Sequence, residues 1–210
     1  MIKLSCYVLG PLDNNSFLLA DDQSREAYII DPSFDPKPIL EAVKARELSV
    51  KAILLTHAHF DHIAGVGYLN ALLPQPLDIA LSSADVPLYT HSGNAMIYNF
   101  SIGELPSVTL RLFDRQILSL GSGQLEVRAV PGHTPGHVLF HVPSLGAILV
   151  GDLIFHRGVG RTDLAGGDFD SLVNSIRTQV FTLPPQTVLH PGHGPSTTVA
   201  DEMAYNPFME

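Results

Sequence analysis

The stretch "ILLTHAHFDHIAG", Ile53 to Gly65, places three of the chain's ten histidines and an aspartate directly behind an apolar run. Imidazoles crowded this closely would repel one another if protonated, so the turn needs a reason to exist. In extended backbone, residues two apart point to the same side, and His57 and His59 can therefore grip one ion together. Asp61 and His62 begin the helix that follows and can turn toward a neighbouring point. The bland alternative is a solvated loop, but the flanking "ILL" and "IAG" anchor this turn to the core. Four ligand-type side chains there make a poor hydrophobic surface and a good metal nest.

Outward from that turn, "KAILLT" reads as a continuous apolar strand buried on both faces. Ahead of it, Lys3 to Leu9, Asn15 to Ala20 and Ala27 to Ile30 read as strands bounded by turn residues. Between them and the turn, "DPKPILEAVKAREL" predicts a helix from Pro36, with Asp35 as N-cap and Ile39, Leu40 and Val43 on one face. Behind the turn, a helix is expected over Ile63 to Leu73, stopped by Pro74. A second round of strands follows near Leu77 to Leu81, Val108 to Phe113, Leu125 to Val130, Val138 to Val142 and Ala147 to Val150. A helix over Phe169 to Phe181 capped by Asp168, a strand Thr187 to His190 and a short C-terminal segment complete the chain. Strands and helices in two similar rounds point to an α/β fold with two sheets face to face and helices outside.

Three more candidate ligands stand where strands end. His133 sits in "VPGHTPGH", Asp152 in "LVGD" and His193 in "LHPGHG", each with Gly or Pro beside it. One such residue is more often structural than functional. Three of them together with the histidine turn make a pattern.

Composition bounds what the pattern can serve. The 210 residues are 45% hydrophobic and 16% charged, a globular composition, and no linker or low-complexity tract marks a boundary, so residues 1–210 read as a single domain. A net charge of −9 offers no general attraction to nucleic acid or an anionic membrane. No apolar run approaches a membrane span, and the N-terminus reads as a strand and turn instead of a signal peptide. Cys6 is alone, so a reducing, cytoplasmic setting is expected. Its apolar surroundings predict a buried, inert thiol.

Taken together, "THAHFDH", "GHTPGH", "GD" and "PGHG", with the early "NNSFLL" and "IIDPS", resemble the metallo-β-lactamase superfamily over nearly the whole chain. The resemblance implies an αββα sandwich with two mixed sheets and the metal site at one edge. It implies that His57, His59 and His133 hold one divalent ion, that Asp61, His62 and His193 hold a second, and that Asp152 bridges them. Zinc is the first expectation, with iron and manganese as alternatives. Two ions ~3.5–4 Å apart can acidify a shared water and polarise a carbonyl, and the hydroxide then attacks that carbonyl. Asp61 is the candidate catalytic residue, able to ligate and to accept a hydrogen bond from the nucleophile. Asp31, His137 and His190 are candidates to orient the ligands through hydrogen bonds from behind. His91, His141 and His156 read as ordinary core or surface histidines.

The segment "GDLIFHRGVGRTDLAGGDFDSLVNSI" is similar to the glyoxalase II-like branch, whose members hydrolyse S-2-hydroxyacylglutathione thioesters. That resemblance implies a small-molecule thioester substrate. Two features depart from it. Full-length glyoxalase II enzymes carry a further helical C-terminal segment with basic contacts to glutathione, whereas this sequence runs only to Glu210 after His193. They also carry a lysine and a tyrosine where Arg161 and Asp163 stand here. Arg161 is a candidate to bind a substrate carboxylate, or else to pair with Asp163 and hold the loop. "RTD" also resembles the persulfide dioxygenases of the same superfamily, whose single iron would fall on His57, His133 and Asp152. The "PGHG" around His193 favours the two-metal hydrolase. Residues 89–103, "YTHSGNAMIYNFSIG", are a candidate lid or an ordinary packed loop, and oligomeric state has no signature in the sequence.

Overall fold

The computed structural model describes residues 1–75 and 77–209. One sheet is built in strict chain order from β1 (Ile2–Leu9), β2 (Asn14–Asp21), β3 (Glu26–Ile30), β4 (Ser49–Leu54), β5 (Asp78–Ser82) and β6 (Leu110–Leu112). The first three strands run antiparallel, and β3 to β6 are parallel. Parallel neighbours need crossover connections, supplied here by helices α1 (Lys37–Ala45), α2 (Phe60–Ile63), α3 (Val66–Leu72) and α4 (Val86–Thr90). The second sheet contains β7 (Ile117–Leu120), β8 (Gly123–Ala129), β9 (Val138–Val142) and β10 (Ala147–Gly151), with β13 (Val188–Pro191) and β14 (Thr197–Thr198) beyond β10. Between β10 and β13 lie a small hairpin, β11 (Ile154–Phe155) with β12 (Gly158–Val159), and helix α5 (Phe169–Ser175). Helix α6 (Val199–Tyr205) follows β14.

Three separate cores show the layering. Alternation along β2 sends Leu18 and Ala20 to one face and Phe17 and Leu19 to the other. Leu18, Ile29 and Ile53 pack under Ile39, Leu40 and Val43 of α1 and Val66 and Leu69 of α3. Phe17, Leu19 and Leu54 meet Leu125, Phe140 and Leu149 of the second sheet. Leu139, Ile148 and Leu189, on that sheet's far face, pack against Leu172 of α5 and Val199 of α6. The order helix, sheet, sheet, helix is the expected αββα sandwich of two mixed sheets.

Several expected boundaries shift. Helix α1 begins after Pro36, whose carbonyl accepts from Ile39 and Leu40. Asp35 lies one residue too far out, at positive φ, and no side chain caps this helix. The helix expected over Ile63 to Leu73 is two short ones, because the Gly65 N–H leaves the helical ladder to donate to the Pro32 carbonyl. Asp168 does cap α5, accepting from the Ser171 N–H, but α5 passes into a single π turn at Ile176–Val180. Strand β7, the β11–β12 hairpin, β14 and α6 had no expectation behind them. Cys6 is exposed, contrary to the buried thiol expected, because β1 is an edge strand. Among the described residues, no helix is long and apolar enough to cross a membrane.

Candidate metal centre

The loops leaving one edge of the two sheets carry every candidate ligand. Asp31 follows β3, His57 and His59 follow β4, and Asp61 and His62 ride on α2. His133 follows β8, Asp152 follows β10 and His193 follows β13. Among the described residues three sets of donor atoms converge there, each within 4.8 Å: His57 with His59 and His133, Asp61 with His62 and His193, and, behind these two, Asp31 with His57 and His62. The Asp152 Oδ2 atom stands between the first two sets, 3.8 Å from His133 Nε2 and 3.7 Å from His193 Nε2. Its Oδ1 is 3.3 Å from His62 Nε2. Glycine at 192 leaves room for this position; a Cβ there would lie 2.3 Å from Asp152 Oδ1.

The outer hydrogen bonds fix which ring nitrogens face inward as lone pairs. Thr56 Oγ1 donates to Asp31 Oδ2 at 2.5 Å and so accepts from His57 Nδ1 at 3.1 Å. His133 Nδ1 donates to the Arg161 carbonyl (2.8 Å), His62 Nδ1 to Asp31 (3.0 Å) and His193 Nδ1 to the Leu12 carbonyl (2.9 Å). In the neutral ring, the form that binds a metal, each donation leaves the other nitrogen bare. The His57 and His133 Nε2 atoms then face each other at 3.2 Å, with His59 Nδ1 2.8 Å from the latter. Among the described residues, buried His62 Nε2 and Asp152 Oδ1 find no hydrogen-bond partner. Lone pairs converging on one another are repulsive unless a cation sits among them. This His/Asp cluster fits divalent metal binding.

Charge divides the two sets. Burial, followed by the neighbouring rings, pushes His57 well below the ordinary imidazole value and His59 down to about 4. In the second set burial again opposes charge, but the Asp152 and Asp61 carboxylates outweigh it and raise His62 well above that value. His193 is raised as well, against its own burial, by its hydrogen bond to Asp61 and by Asp152. Asp61 is held at about 2 despite burial, chiefly by His62 and His193.

The surrounding residues answer the remaining expectations. Asp31 sits behind His62 and also accepts from the Thr56 N–H at 2.8 Å. His137 is buried with its ring centroid 5.0 Å from that of His57, but it makes no hydrogen bond to a ligand. His190 faces away from the centre, bonding Ser196 and packing on Phe17. His91 and His141 bond Pro87 and Glu126, outside the site. Arg161 grips Asp163 through two bonds of 2.7 Å. Three contributors had gone unnoticed. Asn14 donates to Asp61 Oδ2 (2.8 Å) and lies 3.2 Å from His193 Nε2; Thr56 and Asp85 are the others.

A cleft of about 410 Å³ opens onto the centre, walled by Leu12, Phe60, Tyr98, Phe100, Arg161 and Leu164. Phe60 stacks on both Tyr98 and Phe100. The segment over residues 89–103 is therefore docked on α2 and forms one wall. Gly93 makes this close approach possible, since at its φ of 60° a Cβ would lie 2.3 Å from the Phe60 nitrogen.

Residues 9–193 match the metallo-beta-lactamase superfamily. A probable metallo-hydrolase of Bacillus subtilis, YqgX, is 36% identical over 96% of this chain and 94% of its own length. The hydroxyacylglutathione hydrolase GloC of Haemophilus influenzae is 32% identical, covering 93% and 92%. The human mitochondrial persulfide dioxygenase ETHE1 is 34% identical, covering 91% of this chain and 70% of its own. Among solved structures, the B3 metallo-beta-lactamase BLEG-1 superposes with a TM-score of 0.90 at 32% identity over 99% of both chains. TTHA1623 in a di-iron-bound form gives 0.86 at 37% identity, covering 97% and 99%.

Proposed function

The chain belongs to the metallo-beta-lactamase superfamily, and from that premise we propose that it is a binuclear metallohydrolase of small thioesters of the S-2-hydroxyacylglutathione kind. The observation carrying this reading is that the second donor set is complete. Asp61, His62 and His193 converge as closely as His57, His59 and His133 do, and each has its own backing partner. A one-metal enzyme using His57, His133 and Asp152 has no need of it. The similarity to GloC supports the substrate class, and the di-iron form of TTHA1623 supports a metal pair, with zinc as the first expectation. A lone cysteine and a net charge of −9 favour a cytoplasmic setting and a small-molecule partner.

Bound metals would supply an acidified water and Lewis acidity at the substrate carbonyl. The chain's own residues do the rest. Asp152 spans the two donor sets. Asp61, ionised and held by Asn14 at Oδ2, is placed to ligate and to accept a hydrogen bond from the nucleophile. Phe60, Tyr98 and Phe100 present an apolar wall to the acyl thiol, and Arg161 stands at the mouth. Elemental analysis of protein purified without added metal or chelator tests the reading, with about two ions per chain expected. Thiol release from S-lactoylglutathione should follow. One iron, no uptake of a second ion, and oxygen consumption with a persulfide would overturn it in favour of the dioxygenase.

A further inference from the structure

Asp85, at the end of the 3₁₀ turn Ser83–Asp85 behind β5, is fully buried and absent from both donor sets. Its carboxylate accepts three hydrogen bonds, all from uncharged donors. Oδ2 takes the Ala58 N–H at 3.1 Å and the Thr134 hydroxyl at 2.8 Å, and Oδ1 takes the Gly136 N–H at 2.7 Å. Ala58 lies between His57 and His59, and Thr134 is the neighbour of His133. One side chain therefore ties together the two loops that supply the whole first donor set, loops far apart in the sequence. The fit is close: a Cβ on Gly136 would lie 2.6 Å from Asp85 Oδ1.

Burying a carboxylate without a cation is costly, and burial does push the Asp85 carboxyl above its ordinary value. A neutral residue could fill the space at lower cost, but it would not offer two oxygens to three converging donors. The second donor set is held independently, by Asn14, Asp31 and the Leu12 carbonyl. We propose that Asp85 is a positioning residue for the first metal alone, setting the spacing between the His57–His59 turn and His133. This rests on reading His57, His59 and His133 as one ion's ligands.

The test isolates each metal position in turn. In His193→Ala protein the first donor set is the intact one, and in His59→Ala protein the second is. Asp85→Asn is added to each, and cobalt(II) affinity is measured by titration against a competing chelator. Asparagine turns an NH₂ toward donors that need an acceptor. The expected result is a loss of roughly 10- to 100-fold in the His193→Ala background and less than about threefold in the His59→Ala background. Equal losses in both would show a general packing role and overturn the proposal, as would no loss in either. Should Asp85→Asn not fold, Thr134→Val removes one of the three donors and is measured the same way. Thr134→Ser should then restore affinity, and failure of Thr134→Val to weaken the first position selectively would overturn the proposal. Parent protein that binds no cobalt at either position would instead overturn the metal reading itself.

Discussion

His57 and His133 are backed by neutral oxygens, the Thr56 hydroxyl and the Arg161 carbonyl, whereas His62 is backed by the Asp31 carboxylate, and His62 and His193 lie against Asp61. The same residue type is thus held in two electrical settings a few ångströms apart. In the first set, burial and then the neighbouring rings lower His57 and His59 and leave those two as neutral ligands ready for a cation. In the second, carboxylates make the rings better bases, which strengthens them as ligands and also strengthens the proton that competes for them. Similar geometry, with different surroundings, gives two positions that should differ in how they lose metal.

The largest effect comes from breaking one set outright. His59→Ala removes a donor that the hydrolase needs and the one-iron arrangement does not. Thioester hydrolysis should fall by more than the ~100-fold typical of losing an outer partner. Unchanged hydrolysis in this variant would sink the two-set comparison.

Acid should sharpen the contrast. A histidine whose value is raised keeps its proton to higher pH, so the proton displaces metal from His62 and His193 first as pH falls. His59, lowered to about 4, stays a competent ligand well below the ordinary imidazole value of about 6.5. Dialysis over a pH series followed by elemental analysis should show one ion lost first as pH falls and the other retained to lower pH. Simultaneous loss of both ions would contradict the difference drawn here.

Four of the seven converging residues were legible because they crowd into one short turn behind an apolar strand, and the other three because each is a His or Asp at a strand exit beside a glycine. What holds them was less so. The Leu12 and Arg161 carbonyls leave no mark in sequence, since every residue has one. Asn14, Thr56 and Asp85 look like ordinary turn residues until the loops are brought together. Asp31 was identifiable as a candidate from "IIDP", but His190 shows that nearness in sequence misleads. Two strand positions from Gly192, its ring lies between the sheets instead of at their edge. The apolar pattern across Ile63 to Leu73 runs on through the place where Gly65 spends its N–H on Pro32. Such breaks are tertiary, and periodicity does not record them.

The smallest effect concerns the mouth of the cleft, where charge is exposed and screened. Arg161 lines the cleft, yet its Nε and Nη2 are both engaged by Asp163, whose carboxyl the guanidinium holds at about 2. A substrate carboxylate that used this fork would first have to displace Asp163. Because an exposed pair of this kind is weak, displacement is cheap, and Asp163→Asn should lower KM for a carboxylate-bearing thioester by roughly two- to fivefold. Neither kcat nor KM for an uncharged thioester should move, and the thermal midpoint should stay within error. The opposite result, a higher KM in the variant, would mean that Asp163 holds Arg161 in its working position, and the pair would then belong to the site as a unit instead of competing within it.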